Sequence, residues 1–281
     1  MRTIVFTGDD FGFSSGVNLA IMKAHERGVL TRASLMVTGD AFEEAVALAR
    51  AHPRLSVGLH LVLAKGRAVL SPSEIPHLVD RVGYFPSSSI QAGLRYQFDG
   101  RTRRELRAEI CAQLDRFQNT GLRLSHLDGH MHMHMHPAVI RIVAEIAGEF
   151  NLREVRLPSE EFRIALRLDR TNVSEKVAWA LLFGGLRSYG KRCLASVGVR
   201  YADRVYGLLT SGRMTEEHLL RLISQIRSDR VEVYSHPALE IDGEPLNGPP
   251  GSGQMELAAL VSEKIRHALL ANGFSVAAEL P

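Results

Sequence analysis

Short apolar runs and longer amphipathic stretches alternate along this chain, in the rhythm of strand followed by helix. Residues 3–6, "TIVF", form a strand-like run that ends in the polar loop "TGDDFGFSSG". Val17, Ala20, Ile21 and Ala24 then fall at i, i+3, i+4 and i+7, which lines one helix face. Ser14 or Ser15 offers its cap and Gly28 its stop. The same alternation predicts a strand over 32–39, a helix over 41–52 stopped by Pro53, and a strand over 55–63. It continues with a helix over 101–121 closed by Gly121, a strand over 122–130, a helix over 137–150 with Pro137 in its first turn, and a strand over 154–158. Late in the chain it predicts a helix over 215–228 capped by Thr215, a strand over 231–236, a helix over 254–273 and a last strand over 274–280.

Two stretches break the rhythm. Residues 64–100 are irregular and rich in Pro, Ser and Gly, an excursion from the scaffold. Residues 159–213 mix apolar and basic positions. The expected organisation is a single domain over 1–281, with a largely helical insertion at about 159–213.

Repeated strand–helix units predict a parallel α/β architecture. An irregular, TIM-like (β/α) barrel of about seven strands is the first expectation, and a doubly wound open sheet the second. In either, functional residues gather at the carboxyl ends of strands. Asp9 and Asp10, His60, His126 to His130, Arg156 and His236 all fall at or just past predicted strand ends.

Composition narrows the classes. At 281 residues and 45% hydrophobic, the chain can bury a sizeable core. A net charge of +3 is too small to imply nucleic acid, but suits an acidic ligand or an anionic membrane surface. Cys111 and Cys193 form no CxxC pair and read as reduced thiols of a cytoplasmic protein. "MRTIVFTGDD" carries no signal-peptide core, and no apolar stretch approaches the roughly 18 residues of a membrane span.

A divalent cation bound by mixed carboxylate and imidazole needs about three protein ligands. Asp10, His60 and His130 supply that set from three strand ends. A cation held there acidifies water enough for attack on a carbonyl at neutral pH. Adjacent Asp9 is the candidate base, and His236, in "YSHP", the candidate acid. Each residue also has a plainer role: aspartates cap turns, His60 sits amid apolar residues like a core histidine, and His236 ends a strand. Their coincidence at strand ends favours the site.

The stretch "HLDGHMHMHMHP" needs dividing. A strand period of two sets His126, Asp128, His130, His132 and His134 on one side. Strands last about 5–6 residues, so this one should end near His130. His130 is the preferred ligand, with His126 as its alternative or as an orienting group. Asp128 is placed to hydrogen-bond a ligand imidazole, His132 and His134 to line the substrate cleft, and Met131, Met133 and Met135 to pack on the scaffold. Arg156 is a candidate substrate contact or the partner of a local carboxylate.

These residues carry a resemblance. "TGDDFGFSSGVNLAIMKAHERGVLTRASLMVTG", "VGLHLVL", "HLDGHMHMHMHP" and "SHP", in that order over nearly the whole chain, resemble the YdjC-like carbohydrate deacetylases. That resemblance implies an irregular (β/α) barrel and metal-dependent removal of an acetyl group from an N-acetylated sugar. It also implies Asp10, His60 and His130 as metal ligands, Asp9 as base and His236 as acid. Gly129 stands where the family usually has Ser. "VGLHLVLAKGRAVLSPSEIPHLVD", "LREVRLPSE" and "SHPALE" look like the hopanoid-biosynthesis-associated HpnK branch. That narrower resemblance implies an N-acetylglucosaminyl group on a hopanoid glycolipid as substrate.

Within 174–210, Trp179, Leu181, Leu182 and Phe183 stand beside Arg187, Lys191, Arg192, Arg200 and Arg204. Such a segment suits a lipid-sized cleft or peripheral contact at the inner membrane face. The alternatives are a chito-oligosaccharide or other N-acetyl-sugar deacetylase, and a non-catalytic metal- or glycolipid-binding protein. One carboxylate and two imidazoles suit Zn²⁺, Mn²⁺ or Co²⁺, and the resemblance admits Mg²⁺. The expected assembly is a homodimer.

Overall fold

Strand β1 (Arg2–Phe11) is buried along almost its whole length and has three parallel partners. The computed structural model describes residues 2–98, 100–210 and 212–280. One edge of β1 takes β6 (Arg230–Ser235). The other takes β7 (Phe274–Val276) near its start and β2 (Arg32–Leu35) near its end. The sheet runs on through β3 (Ser56–Leu61) to β4 (Leu127–Gly129), and on the far side through β6 to β5 (Arg204–Tyr206). Residues 153–159 link these two edges. Val155 bridges to Leu127, Glu154 to Arg200 and Ser159 to Val205. The protein is therefore an α/β fold with a curled, parallel, barrel-like sheet of seven strands.

Helices cover the outside: α1 (Ser15–Arg27), α2 (Phe42–Ala51), α3 (Ser89–Phe98), α4 (Gly100–Gln118), α5 (Pro137–Ile146), α6 (Phe162–Leu168), α7 (Val173–Ala195), α8 (Glu216–Ile223), α9 (Ser252–Leu260) and α10 (Glu263–Ala271). The Ser14 side chain caps α1 and Gly28 ends it. Long α7 is fastened to the sheet by Arg187, which donates to the carbonyls of Leu157, Ala202 and Asp203.

The pleat sorts residues between two faces. Ile4 and Phe6, Ala33 and Leu35, Val57 and Leu59, Leu127, and Val231 and Val233 join the large apolar core shared with the helices. The opposite face carries Thr7, Asp9, Arg32, Ser34, His60, Asp128, Glu232 and Tyr234, all buried. The inner wall is thus mostly polar, where a parallel barrel is usually filled by branched apolar residues. Among the described residues a small apolar cluster, Val5, Ala202, Val205 and Leu280 around the Tyr234 ring, adjoins it.

Several elements differ from the periodicity. β1 does not stop at residue 6 but runs through both aspartates to Phe11. The strand expected over 122–130 shrinks to 127–129, although Ser125 N and the His126 carbonyl still bond to Val57 and Leu59 of β3. The helix expected over 254–273 breaks in two, since the Ser262 side chain accepts from Lys264 N and starts α10 afresh. The irregular stretch 64–100 contains α3, held by buried Ala92 and Tyr96, whose hydroxyl donates to the Leu63 carbonyl. Among the described residues no helix is long and apolar enough to cross a membrane.

Candidate active site

The site begins with a bulge. Gly8 pairs with Ala33 and Phe11 with Leu35, so β1 carries one residue more than β2 between those points. Asp10 absorbs the excess at φ 64°, a left-handed conformation that aspartate tolerates better than most residues. Adjacent strand residues ordinarily point to opposite faces. The bulge instead lets Asp9 and Asp10 line the same cleft. They do so from within the strand, not from a loop beyond it.

The two aspartates have different neighbours. Asp9 is gripped by Arg156, with Nη1 2.7 Å from Oδ2 and Nη2 2.8 Å from Oδ1. Asp10 Oδ1 lies 2.9 Å from His130 Nδ1 and 3.2 Å from His60 Nε2. One ligand atom from each of Asp10, His60 and His130 falls within 4.8 Å of the others. The other nitrogen of His60, Nδ1, is 2.7 Å from Asp128 Oδ1. That fixes the ring and leaves Nε2 facing Asp10, the orientation a carboxylate gives a metal-binding imidazole.

The electrostatics agree with a cation site. Three buried carboxylates, Asp9, Asp128 and Glu232, share the Arg156 guanidinium, and a fourth, Asp10, faces His60 and His130. Burial disfavours a charged His60, yet Asp128 and Asp10 outweigh it and push the imidazole up to about 10. Burial also opposes ionised Asp10, but His130 and His60 hold it well below the usual carboxylate range. The carboxylates thus hold a positive charge on His60, a charge that a divalent cation would supply once it displaced that proton. A divalent cation on one carboxylate and two imidazoles fits both the donor set and this charge.

Other expected residues fall in varied places. His126 lies one repeat deeper, between the hydroxyls of Ser125 and Ser34, and is not in the Asp10, His60, His130 group. Ser34 also donates to Asp128. His130–Met135 is a kinked turn, with Met131 and His132 left-handed at φ 53° and 54°. That turn brings His132 into the cleft wall, 2.9 Å from the Tyr234 hydroxyl. His134 does not line the cleft. It is 0% exposed and donates through Nε2 to the Arg156 carbonyl. Burial pushes it down to about 4, so it is neutral. Arg156 is likewise no substrate contact, because its guanidinium is fully buried and shared among Asp9, Asp128 and Glu232. Met133 and Met135 are buried, but Met131 is exposed at the cleft. His236 lines the cleft, its ring 5.9 Å from that of Tyr234 and its backbone N–H donating to buried Glu256.

Glu232 and Tyr234 were not singled out from the sequence. Period two along "RVEVYS" would have set both on one face of β6, with their sign and size still unexplained. Glu232 receives Thr7 Oγ1 at 2.8 Å and Arg156 at 2.9 Å.

The cleft above these groups has a volume of about 690 Å³. Its floor is Asp9, Asp10, His60 and His130, and one wall is Trp179, Leu182, Phe183 and Leu186 of α7.

Fold and site together define a parallel α/β barrel with a candidate carboxylate–imidazole cation site at the carboxyl ends of its strands. The chain belongs to the YdjC-like protein family, whose pattern matches residues 3–271. It is 45% identical over 155 residues to a carbohydrate deacetylase of Brevibacillus brevis, a match spanning 55% of this chain and 59% of that protein. The chain thus covers little more than half the length of that relative. It is 30% identical over 278 residues to a carbohydrate deacetylase of Vibrio cholerae, spanning 97% of this chain and 93% of the other. A solved structure from Enterococcus faecalis, described as a proposed cellobiose-phosphate cleavage protein, has the same fold. Its TM-score is 0.76 at 24% identity, over 98% of this chain and 97% of that one.

Proposed function

We propose that this protein is a divalent-cation-dependent deacetylase that hydrolyses the acetamide of an N-acetylglucosaminyl group on a hopanoid glycolipid, as in the HpnK branch. The observation that carries the hydrolytic reading is the division of labour between adjacent aspartates. Asp10 faces two imidazoles, while Asp9 faces a guanidinium. In this reading Asp10 is a ligand, and Asp9, left outside the ligand set and held by Arg156, is the base. A cation on Asp10, His60 and His130 supplies Lewis acidity to the acetamide carbonyl and to water.

The chain's own groups supply the remainder. Asp9 accepts a proton from the attacking water, and Arg156 keeps both its oxygens oriented. Asp128 holds the His60 ring in place. Water oxygen bonds to the carbonyl carbon, the C–N bond breaks, and His236 protonates the departing nitrogen. The products are acetate and the free amine.

The lipid part of the reading rests on α7. A single sugar does not need a cleft of about 690 Å³ walled by Trp179, Leu182, Phe183 and Leu186. Leu181 and Leu182 on α7 and Ile90 on α3 are 74%, 52% and 73% exposed, which suits peripheral contact with the inner membrane face.

Acetate release tests both parts. The purified protein with Zn²⁺ should deacetylate a short soluble N-acetylglucosamine glycoside slowly and the hopanoid glycolipid faster. Leu182→Asp should lower only the lipid rate. No acetate from any such glycoside would overturn the deacetylase reading. Equal losses on both substrates would remove the lipid and leave a soluble chito-oligosaccharide.

A further inference from the structure

Of the three candidate cation ligands, Asp10 and His60 stand on strands. His130 alone stands on a turn, and that turn is strained. Met131 and His132, the next two residues, are both left-handed, a conformation L side chains rarely adopt. Something must hold them there.

The restraint is visible at His132. Its ring packs edge-on against Phe183 of α7 at 5.5 Å and Tyr234 of β6 at 5.4 Å. Its Nε2 shares a 2.9 Å hydrogen bond with the Tyr234 hydroxyl. Tyr234 is itself immobilised. It is 1% exposed, its ring lies 4.6 Å from the Arg156 guanidinium carbon, and its edge meets His236. The bond therefore joins the turn that begins with His130 to the strand that leads into His236.

We infer that the Tyr234–His132 pair is a clamp that keeps the left-handed turn closed, fixing both the reach of His130 to Asp10 and its spacing from His236. Tyr234 and His132 are positioning residues. Neither is among the candidate ligands, the base or the acid. The catalytic consequence rests on the deacetylase reading; the consequence for cation binding does not.

Tyr234→Phe keeps the buried ring and removes only the hydroxyl. Zinc titration by calorimetry should show affinity falling about tenfold, the lower end for a residue supporting a metal ligand. With substrate, kcat should fall with KM little changed. Thr31→Val is the control. It removes a hydrogen bond to the Ala277 carbonyl at the opposite end of the barrel and should leave zinc affinity at the wild-type value. Adding Met131→Gly to Tyr234→Phe should restore at least about threefold of the lost affinity, because glycine takes the left-handed conformation freely.

Wild-type zinc affinity in Tyr234→Phe would overturn the clamp. So would an equal loss in Thr31→Val, or no recovery with Met131→Gly. A wild type that binds zinc but releases no acetate would instead sink the deacetylase reading, with the clamp still decided by the titrations. A wild type without zinc affinity would remove both.

Discussion

Arg156 grips Asp9 with two parallel hydrogen bonds, 2.7 and 2.8 Å long, in a barrel wall where neither side chain is more than 2% exposed. The same guanidinium also meets Asp128 and Glu232. Lysine keeps the charge but cannot form the fork. Arg156→Lys should therefore fold and lose about 100-fold in kcat, through a displaced base. Arg156→Ala leaves three carboxylates uncompensated and should cost about 3–5 kcal/mol in urea denaturation. A lysine variant with full turnover would show that the orientation of Asp9 is unimportant.

Asp9→Asn separates ligand from base. Zinc affinity should stay near the wild-type value, because Asp10, His60 and His130 are untouched. Turnover should fall about 100- to 10,000-fold, the usual worth of a general base. Calorimetry and acetate release on the same preparation check both halves, and retained turnover would remove Asp9 from the reaction.

Asp128→Asn weakens the support of a ligand without removing one. His60 Nδ1 then loses its charged partner at 2.7 Å. Zinc affinity should drop about 10- to 100-fold. Unchanged affinity would mean that the His60 ring is held by its packing alone.

His134 makes the fold acid-sensitive. Its folded value of about 4 lies below its ordinary 6.5, because burial excludes the charged ring. The unfolded chain therefore takes up this proton first as pH falls. Stability is complete above 6.5 and is lost progressively down to about 4. At pH 5 the loss from this residue is about 2 kcal/mol. His134→Gln removes that titration, so its melting temperature should fall less between pH 7.5 and 5.0 than that of the wild type. Parallel declines would show that other groups dominate.

Gly58 leaves room for His126. A Cβ there would lie 2.3 Å from His126 Nδ1 and 2.5 Å from its carbonyl oxygen. Gly58→Ala should destabilise by about 1–3 kcal/mol, measured by urea denaturation. A neutral result would mean that β3 and the His126 segment can separate at little cost.

Much of this protein is legible in its sequence. Alternating short apolar runs and amphipathic stretches specify a parallel α/β chain, because a strand buried on a helix-covered face and a helix with one apolar stripe each leave a distinct period. Ser14, Gly28, Pro137 and Thr215 mark helix ends through backbone chemistry local to them. The carboxyl ends of those strands then point to Asp9, Asp10, His60, His130 and His236 before any coordinate is known, and the cleft holds all five.

Other features depend on residues far apart in the chain. Periodicity places His126, His130 and His134 on equal terms, and only the turn at Met131 and His132 sends His130 to Asp10 and His134 to the Arg156 carbonyl. Arg156 reads as a substrate contact or as the partner of a local carboxylate, and only the fold brings Asp9, Asp128 and Glu232 to it from three strands. The sequence by itself determined which residues lie at the mouth of the barrel, since strand and helix periods are local properties. The tertiary structure alone decided that one guanidinium, Arg156, meets Asp9 while Asp10 turns to His60 and His130. That choice turns on one extra residue in β1, whose left-handed backbone is set by pairing with a separate strand.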